Sequence, residues 1–328
     1  MNVLVTGAAG YIGSHAVQAL LKAGHGVVAL DNLGRGHRKA VPATVPFVQA
    51  DVRDSERMLD VLRNHHIECV MHFAAFAYVG ESVNQPLLYY DNNTLGTLSL
   101  LRAVARSDCR RFVFSSTCST YGLPDTLPIH EGVPQNPINP YGASKLCSER
   151  MLRDLRPALP DWSCAILRYF NVAGCAADGS LGEHHEPETH LIPIILQAAL
   201  GQRDKVTVFG TDYPTPDGTC IRDYIYVEDL VDAHIAVMQA LAPGTEKIYN
   251  VGIGRGHSVR EVIAAARVVV DRPFDVEFGV RRAGDPPSLF SDPAKIQREL
   301  GWHAQRTDLA QIIESAWRWF RDHPQRYE

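Results

Sequence analysis

MNVLVTGAAGYIG, residues 1–13, reads as a short apolar strand running directly into a loop with glycine at positions 7, 10 and 13. Glycine here allows a tight turn, a close backbone approach to a pyrophosphate, and packing of the following helix on the sheet. The pattern predicts a helix over Tyr11 to Ala23 whose first amides, including those of Tyr11, Ile12 and Gly13, face the phosphates of a dinucleotide. Outward from that loop, GVVAL leads to Asp31, where a carboxylate can bond the adenosine ribose hydroxyls and repel a 2′-phosphate. The expected cofactor is therefore NAD, with Asn32 beside it. Arg35 and Arg38 lie near enough in sequence to leave NADP as the second choice.

Alternation continues through FVQAD, a helical stretch around Asp54 to Arg63, and CVMHFAA. Short β-rich runs separated by helices specify a parallel sheet covered on both faces, a doubly wound α/β fold. A long helix is expected over Gln85 to Arg106, then the strand RFVFSST, a loop rich in proline and glycine, and a helix carrying Tyr141. SCAILRYF closes this half. From Asn171 the chain turns to loops such as GCAADGSLGEHHEPETH before a helix over Leu191 to Leu200. The division expected is a dinucleotide-binding Rossmann domain over 1–170 and a smaller mixed α/β substrate domain over 171–328, with 223–252 returning to the first.

Composition narrows the function. The 328 residues carry a formal charge of -5 with no basic block, so a nucleic-acid partner is not expected. No apolar run approaches a membrane span, and no charged leader precedes the first strand, so the chain reads as cytoplasmic. Seven scattered cysteines without a C-x-x-C pair suit reduced thiols rather than disulfides or zinc. Histidines 65, 66, 184 and 185 lack a metal-binding helix spacing and are read as loop or surface residues, so no metal is expected.

Tyr141 and Lys145, in PYGASK, supply the chemistry. A phenol has a pKa near about 10, and a lysine one helical turn away together with an oxidised nicotinamide ring favours the phenolate, which can then move a hydroxyl proton. Such a pair alone is more often an aromatic packed beside a solvated charge. Order and context give it weight, because it follows a strand that ends beside the same crevice as the glycine loop.

The glycine spacing, the YxxxK pair and the Ser/Thr-bearing strand end resemble the extended short-chain dehydrogenase/reductase family. HFAAFAYVGES, YYDNN, FSSTCSTYG, NPYGASK, LRYFNVAG, GTDYPTPDGTCIRDYI and RRAGDP resemble its UDP-glucose 4-epimerase branch, in order and over nearly the whole chain. The resemblance implies NAD-dependent inversion at C4 of a UDP-hexose, with Thr117, Tyr141 and Lys145 catalytic. It further implies that Asp51 and Val52 hold the adenine, that Phe73, Ala74, Ala75, Ala77 and Asn92 line the cofactor, and that Phe170 borders the nicotinamide. Ala77 departs from relatives that carry lysine there. For the UDP-sugar it points to Asn171, His190, Leu191, Thr207, Val208, Phe209, Arg222, Arg282, Asp285 and Leu289, besides Thr117 and Tyr141. His190 stands where some relatives carry asparagine.

Cys118 and Ser119 follow Thr117 where related dehydratases carry acids, which disfavours elimination. Leu289 replaces a bulky tyrosine of hexose-restricted relatives, so UDP-N-acetylhexosamines are expected as additional substrates. A UDP-pentose 4-epimerase is the near alternative, and a non-catalytic NAD(H)-binding regulator the distant one. The family resemblance also implies a homodimer, built on Leu95, Leu98, Leu101, Leu146 and Leu152.

Overall fold

A computed structural model describes residues 1–282 and 285–327. Strands β1 (Asn2–Thr6), β2 (Gly26–Asp31), β3 (Phe47–Gln49), β4 (Cys69–His72), β5 (Arg111–Thr117) and β6 (Ser163–Tyr169) alternate with helices α1 (Tyr11–Lys22), α2 (Ser55–Asn64), α3 (Val79–Asn84), α4 (Pro86–Tyr89), α5 (Gly96–Ala105) and α6 (Pro140–Ala158). Then come β7 (Asn171–Ala173), α7 (Leu191–Ala199), β8 (Val206–Phe209), β9 (Ile221–Arg222), β10 (Tyr224–Tyr226), α8 (Val227–Ala240) and β11 (Glu246–Val251). The chain continues with β12 (His257–Ser258), α9 (Val259–Val269), β13 (Val276–Gly279), β14 (Ser288–Leu289), α10 (Ala294–Leu300) and α11 (Leu309–Asp322).

The main sheet has seven strands in the order β11-β6-β5-β4-β1-β2-β3, all parallel. The strand order reverses between β1 and β4, and ligands of such sheets bind at that switch point. Two apolar clusters cover its faces, one around Val3, Val5, Ala16 and Leu20 and the other around Leu4, Leu30, Phe112 and Trp162. β11 pairs with β6, so the segment from Glu246 extends the main sheet. A third core gathers Ile192, Ile195, Val206, Val262, Ile312 and Trp319 from the later elements.

The helix expected over Gln85 to Arg106 is not one regular helix. Pro86 starts α4, and Tyr90–Leu95 forms a π-helical segment before α5 resumes the ordinary pitch. A wide turn of this kind often marks a functional position. Here it puts Asn92 on the cavity wall while Asn93 is buried, accepting from Phe76 N at 2.8 Å and donating to Phe76 O and Ser144 Oγ at 3.0 Å. The loop after β4 is thereby fastened to α6.

α6 is anchored from below by a buried ion pair. Arg168 of β6 donates from Nε to Glu149 Oε1 at 3.0 Å and from Nη2 to Oε2 at 2.6 Å, and from Nη1 to Tyr121 Oη at 2.9 Å. Such a pair adds little net stability over an apolar equivalent, but its partners fix direction, and removing either leaves an uncompensated charge.

Candidate active site

One cavity of about 860 Å³ runs from the glycine loop across the carboxyl ends of the central strands to β9 and β14. Gly7 has φ +69°, and a Cβ there would lie 2.6 Å from Ala74 N. A Cβ on Gly13 would come 2.0 Å from Gly7 O. No side chain caps α1, so its first amides remain available to an anion. This cradle, which any side chain would fill, fits a dinucleotide pyrophosphate.

Asp31 is buried at the end of β2, where its carboxylate accepts from Ala9 N at 3.0 Å and Leu33 N at 2.8 Å. Burial raises its pKa, opposed by those two amides. Both arginines that left NADP open are committed elsewhere. Arg35 donates twice to Glu81 at 2.8 and 2.7 Å and lies over the Phe76 ring at 4.0 Å. Arg38 lies over Phe47 at 4.4 Å and donates to Val41 O at 2.8 Å. With neither guanidinium free for a 2′-phosphate, the residues fit NAD.

Asn139 caps α6 by accepting from Gly142 N at 2.8 Å, which places Tyr141 and Lys145 on the helix's first turns beside Thr117. The Thr117 hydroxyl oxygen accepts from Ser119 N at 3.1 Å, and the hydroxyl also bonds the Tyr141 phenol. Lys145 is 3% exposed, and its Nζ donates to Ser115 O at 2.8 Å. Burial lowers its pKa to about 7, with Glu149 opposing.

The phenolate expected at Tyr141 relies on Lys145 together with the oxidised nicotinamide ring. Burial pushes the Tyr141 phenol well above the ordinary value, and the Tyr169 phenol adds to the rise, while a hydrogen bond with Thr117 offsets only part of it. The protein alone therefore keeps Tyr141 protonated. Cys118, pushed up to about 12 by burial, is no base at neutral pH.

Of the cofactor residues expected, Gly7, Gly10, Tyr11, Ile12, Gly13, Asp31, Asn32, Val52, Phe73, Ala74, Ala75, Ala77, Asn92, Thr117, Tyr141, Lys145 and Phe170 line the cavity. Asp51 does not. It sits at the edge, bound by Arg53 Nε at 3.0 Å and Asn32 Nδ2 at 3.1 Å, and Arg53 above all lowers its pKa to about 2.

On the other side Asn171, His190, Arg222, Arg282, Asp285 and Leu289 line the cavity. Arg222 Nη2 meets Asp285 Oδ1 at 3.3 Å. Leu191, Thr207, Val208 and Phe209 are outside it. Leu191 packs on the third core, Val208 lies inside it, Thr207 donates to Glu277 Oε1 at 2.8 Å, and Phe209 supports Arg282 from 4.0 Å. Sequence reading missed Tyr78, Glu81, Tyr169, Glu183, His185 and Thr189, all on the cavity wall. Only the density of polar groups in GEHHEPETH signalled the last three.

Sheet order, glycine cradle and the Tyr141–Lys145 pair define a dinucleotide-binding protein of the short-chain dehydrogenase/reductase class. More narrowly, the chain belongs to the NAD dependent epimerase/dehydratase family, whose pattern matches residues 3–252. It is 46% identical to the UDP-glucose 4-epimerase of Lactobacillus helveticus, over 100% of this chain and 99% of that one. It is 45% identical to the probable UDP-arabinose 4-epimerase 3 of Oryza sativa, over 99% of this chain and 84% of the relative.

Two solved structures extend the comparison. The UDP-glucose 4-epimerase of Brucella ovis in complex with NAD is 47% identical with a TM-score of 0.92, covering 97% of this chain and 98% of its own. The UDP-Glc/GlcNAc 4-epimerase of Campylobacter jejuni is 41% identical with a TM-score of 0.85, covering 98% and 99%.

Proposed function

We propose that this protein inverts C4 of a UDP-hexose, interconverting UDP-glucose and UDP-galactose with NAD held in the glycine cradle. The observation that carries this reading is the meeting of Thr117, Tyr141 and Lys145 with that cradle in one cavity. When bound, NAD supplies the acceptor that takes the C4 hydride and gives it back, so no net redox occurs. With Lys145 and the positive nicotinamide ring of a bound NAD both favouring the phenolate, Tyr141 would take the O4 proton and later return it. Thr117, its oxygen already accepting from Ser119 N, donates to the sugar oxygen and orients it in either configuration. Lys145, held by Ser115 O, lowers the cost of the phenolate that burial makes expensive, and this help is needed most when the substrate has excluded water.

Arg222 and Arg282 face the cavity from opposite segments and suit the two phosphates of a UDP group. Residues 1–170, with the strand and helix returning from 223–252, serve the cofactor; 171–328 otherwise serve the nucleotide-sugar. Leu289 lies among Cys118, Tyr121 and Phe170. Phe290 does not refill the space, since its ring lies near Gly256. Leucine there is smaller than the tyrosine of hexose-restricted relatives, so UDP-N-acetylhexosamines join the proposed substrate range; the Campylobacter relative, whose name includes both sugars, supports this. The plant relative keeps a UDP-pentose as the second reading.

Leu87, Val83 and Leu95 are 80%, 60% and 39% exposed on the stretch that joins α3 to α5, which supports a homodimer across that face. Leu101 and Leu152, also expected there, are buried against the protein's own sheet. Among the described residues no helix is long and apolar enough to cross a membrane, in keeping with a cytoplasmic enzyme. The test is incubation with UDP-galactose, UDP-N-acetylgalactosamine and UDP-arabinose separately, without added cofactor. Conversion of the first with NAD recovered from the denatured protein is expected. No conversion of any sugar, or recovery of NADP alone, rejects the reading.

A further inference from the structure

We propose that Glu183, His185, Glu188 and His190 form a four-coordinate zinc site in the cavity wall. Sequence spacing argues against His185 as a ligand, and the resemblance gives His190 to the UDP-sugar, but the loop between β7 and α7 folds back and brings Glu183, His185, Glu188 and His190 together. One ligand atom from each lies within 4.8 Å of all the others. His185 Nδ1 is 3.2 Å from Glu183 Oε1 and 3.5 Å from Glu188 Oε2. His190 Nδ1 is 3.2 Å from Glu183 Oε1 and 2.8 Å from Glu188 Oε1. Zinc bonds of about 2.0–2.2 Å to nitrogen and oxygen place tetrahedral ligand atoms about 3.3–3.5 Å apart. Three of the four spacings, 3.2, 3.5 and 3.2 Å, lie near that value, while His190 Nδ1 now hydrogen-bonds Glu188 Oε1 at 2.8 Å. Two imidazoles with two carboxylates favour zinc over magnesium or calcium, which prefer oxygen.

The competing arrangement is a hydrogen-bonded cluster with both imidazoles protonated. Its net charge is zero, as is that of two carboxylates, two neutral imidazoles and a divalent ion, so charge does not separate the two. Geometry does. His190 Nδ1 hydrogen-bonds Glu188 Oε1 at 2.8 Å, but His185 Nδ1 is buried without a well-aligned partner, although Glu183 Oε1 and Glu188 Oε2 lie 3.2 and 3.5 Å away. The carboxylates are almost fully buried, with side chains 5% and 2% exposed, where unpaired charge is expensive. Outer support is present as well. Glu188 Oε1 accepts from Thr189 N and His190 N at 2.8 Å, which fixes the carboxylate and leaves Oε2 for the ion.

The His185 ring packs edge-on against Tyr11 at 6.2 Å and Tyr78 at 5.9 Å between centroids. An ion here would staple the second half of this irregular loop and hold it against the first turn of α1. Its role is structural, because all four coordination positions come from the protein.

The test is metal content, which is independent of the sugar converted. Untagged protein is equilibrated with ZnCl₂, dialysed against metal-free buffer and analysed by mass spectrometry for zinc per chain; a second sample is loaded with CoCl₂ for visible absorption. One zinc per chain and a tetrahedral cobalt spectrum are expected, with affinity lower by at least about tenfold in Glu183→Gln and His185→Ala. Chelation should lower the melting temperature of the wild type and leave that of His185→Ala unchanged. No zinc retained by the wild type, an octahedral cobalt spectrum, or undiminished affinity in variants that remain folded by circular dichroism overturns the proposal. The wild-type result decides even if a variant does not fold.

Discussion

Lys145→Met should stabilise the cofactor-free protein while abolishing turnover. The lysine is buried with a single hydrogen bond, to Ser115 O at 2.8 Å, and burial takes its pKa from 10.5 to about 7. At about 1.4 kcal/mol per pH unit, that drop corresponds to a penalty of roughly 5 kcal/mol for the charged form. Methionine removes the charge but loses a bond worth about 1 kcal/mol and leaves a carbonyl unpaired at about 1–3 kcal/mol. The net gain expected at about pH 6 is roughly 2 kcal/mol.

The sign with pH follows. The unfolded lysine holds its proton up to about pH 10.4, whereas the folded one releases it near 7, so the unfolded state binds more protons between these values. Wild-type stability contributed by this residue rises with pH across that window, and the advantage of Lys145→Met, full below about pH 7, fades toward about pH 10. Urea midpoints of both proteins after removal of the dinucleotide, from about pH 6 to about pH 10, measure it. A variant less stable than wild type at about pH 6, or an advantage that grows with pH, would refute the reasoning.

Tyr141→Phe should keep the fold and the bound dinucleotide while losing about 10²–10⁴-fold in kcat, as general acid–base groups contribute that much; near-normal turnover would remove Tyr141 from its role. Leu289→Tyr should selectively suppress turnover of UDP-N-acetylglucosamine and UDP-N-acetylgalactosamine, measured beside UDP-galactose, and equal loss on all three would show a general packing defect instead. Light scattering at micromolar protein should return twice the 36.3 kDa chain mass, and Leu87→Asp, at an 80% exposed position, should shift the particle toward the monomer; a monomeric wild type would contradict the dimer.

The parts of the fold legible in the sequence were those written in local periodicity. Strand and glycine spacing around Gly7, Gly10 and Gly13 located the first crossover, and Asp31 closed the second strand where expected. Burial was less visible. Val208 and Thr207 resembled pocket residues by motif, yet alternation along β8 turns Val208 into a core, a direction that depends on the elements packed around it. The cost of burying the Tyr141 phenol was not legible, because sequence supplies neighbours but not desolvation. His185 and His190 could not be paired with Glu183 and Glu188 on spacing alone, since an irregular loop has no period from which to read which side chains converge.

The π-helical turn at Tyr90–Leu95 also constrains how this chain can change length. An α-helix advances about 100° per residue, so deleting one residue inside that turn would restore regular pitch but rotate everything before it by that angle relative to α5. Asn92 would leave the cavity wall, and Asn93 would lose Phe76 and Ser144 together. The segment should tolerate exchange of its exposed side chains more readily than a change in their number, even though it carries no reacting atom.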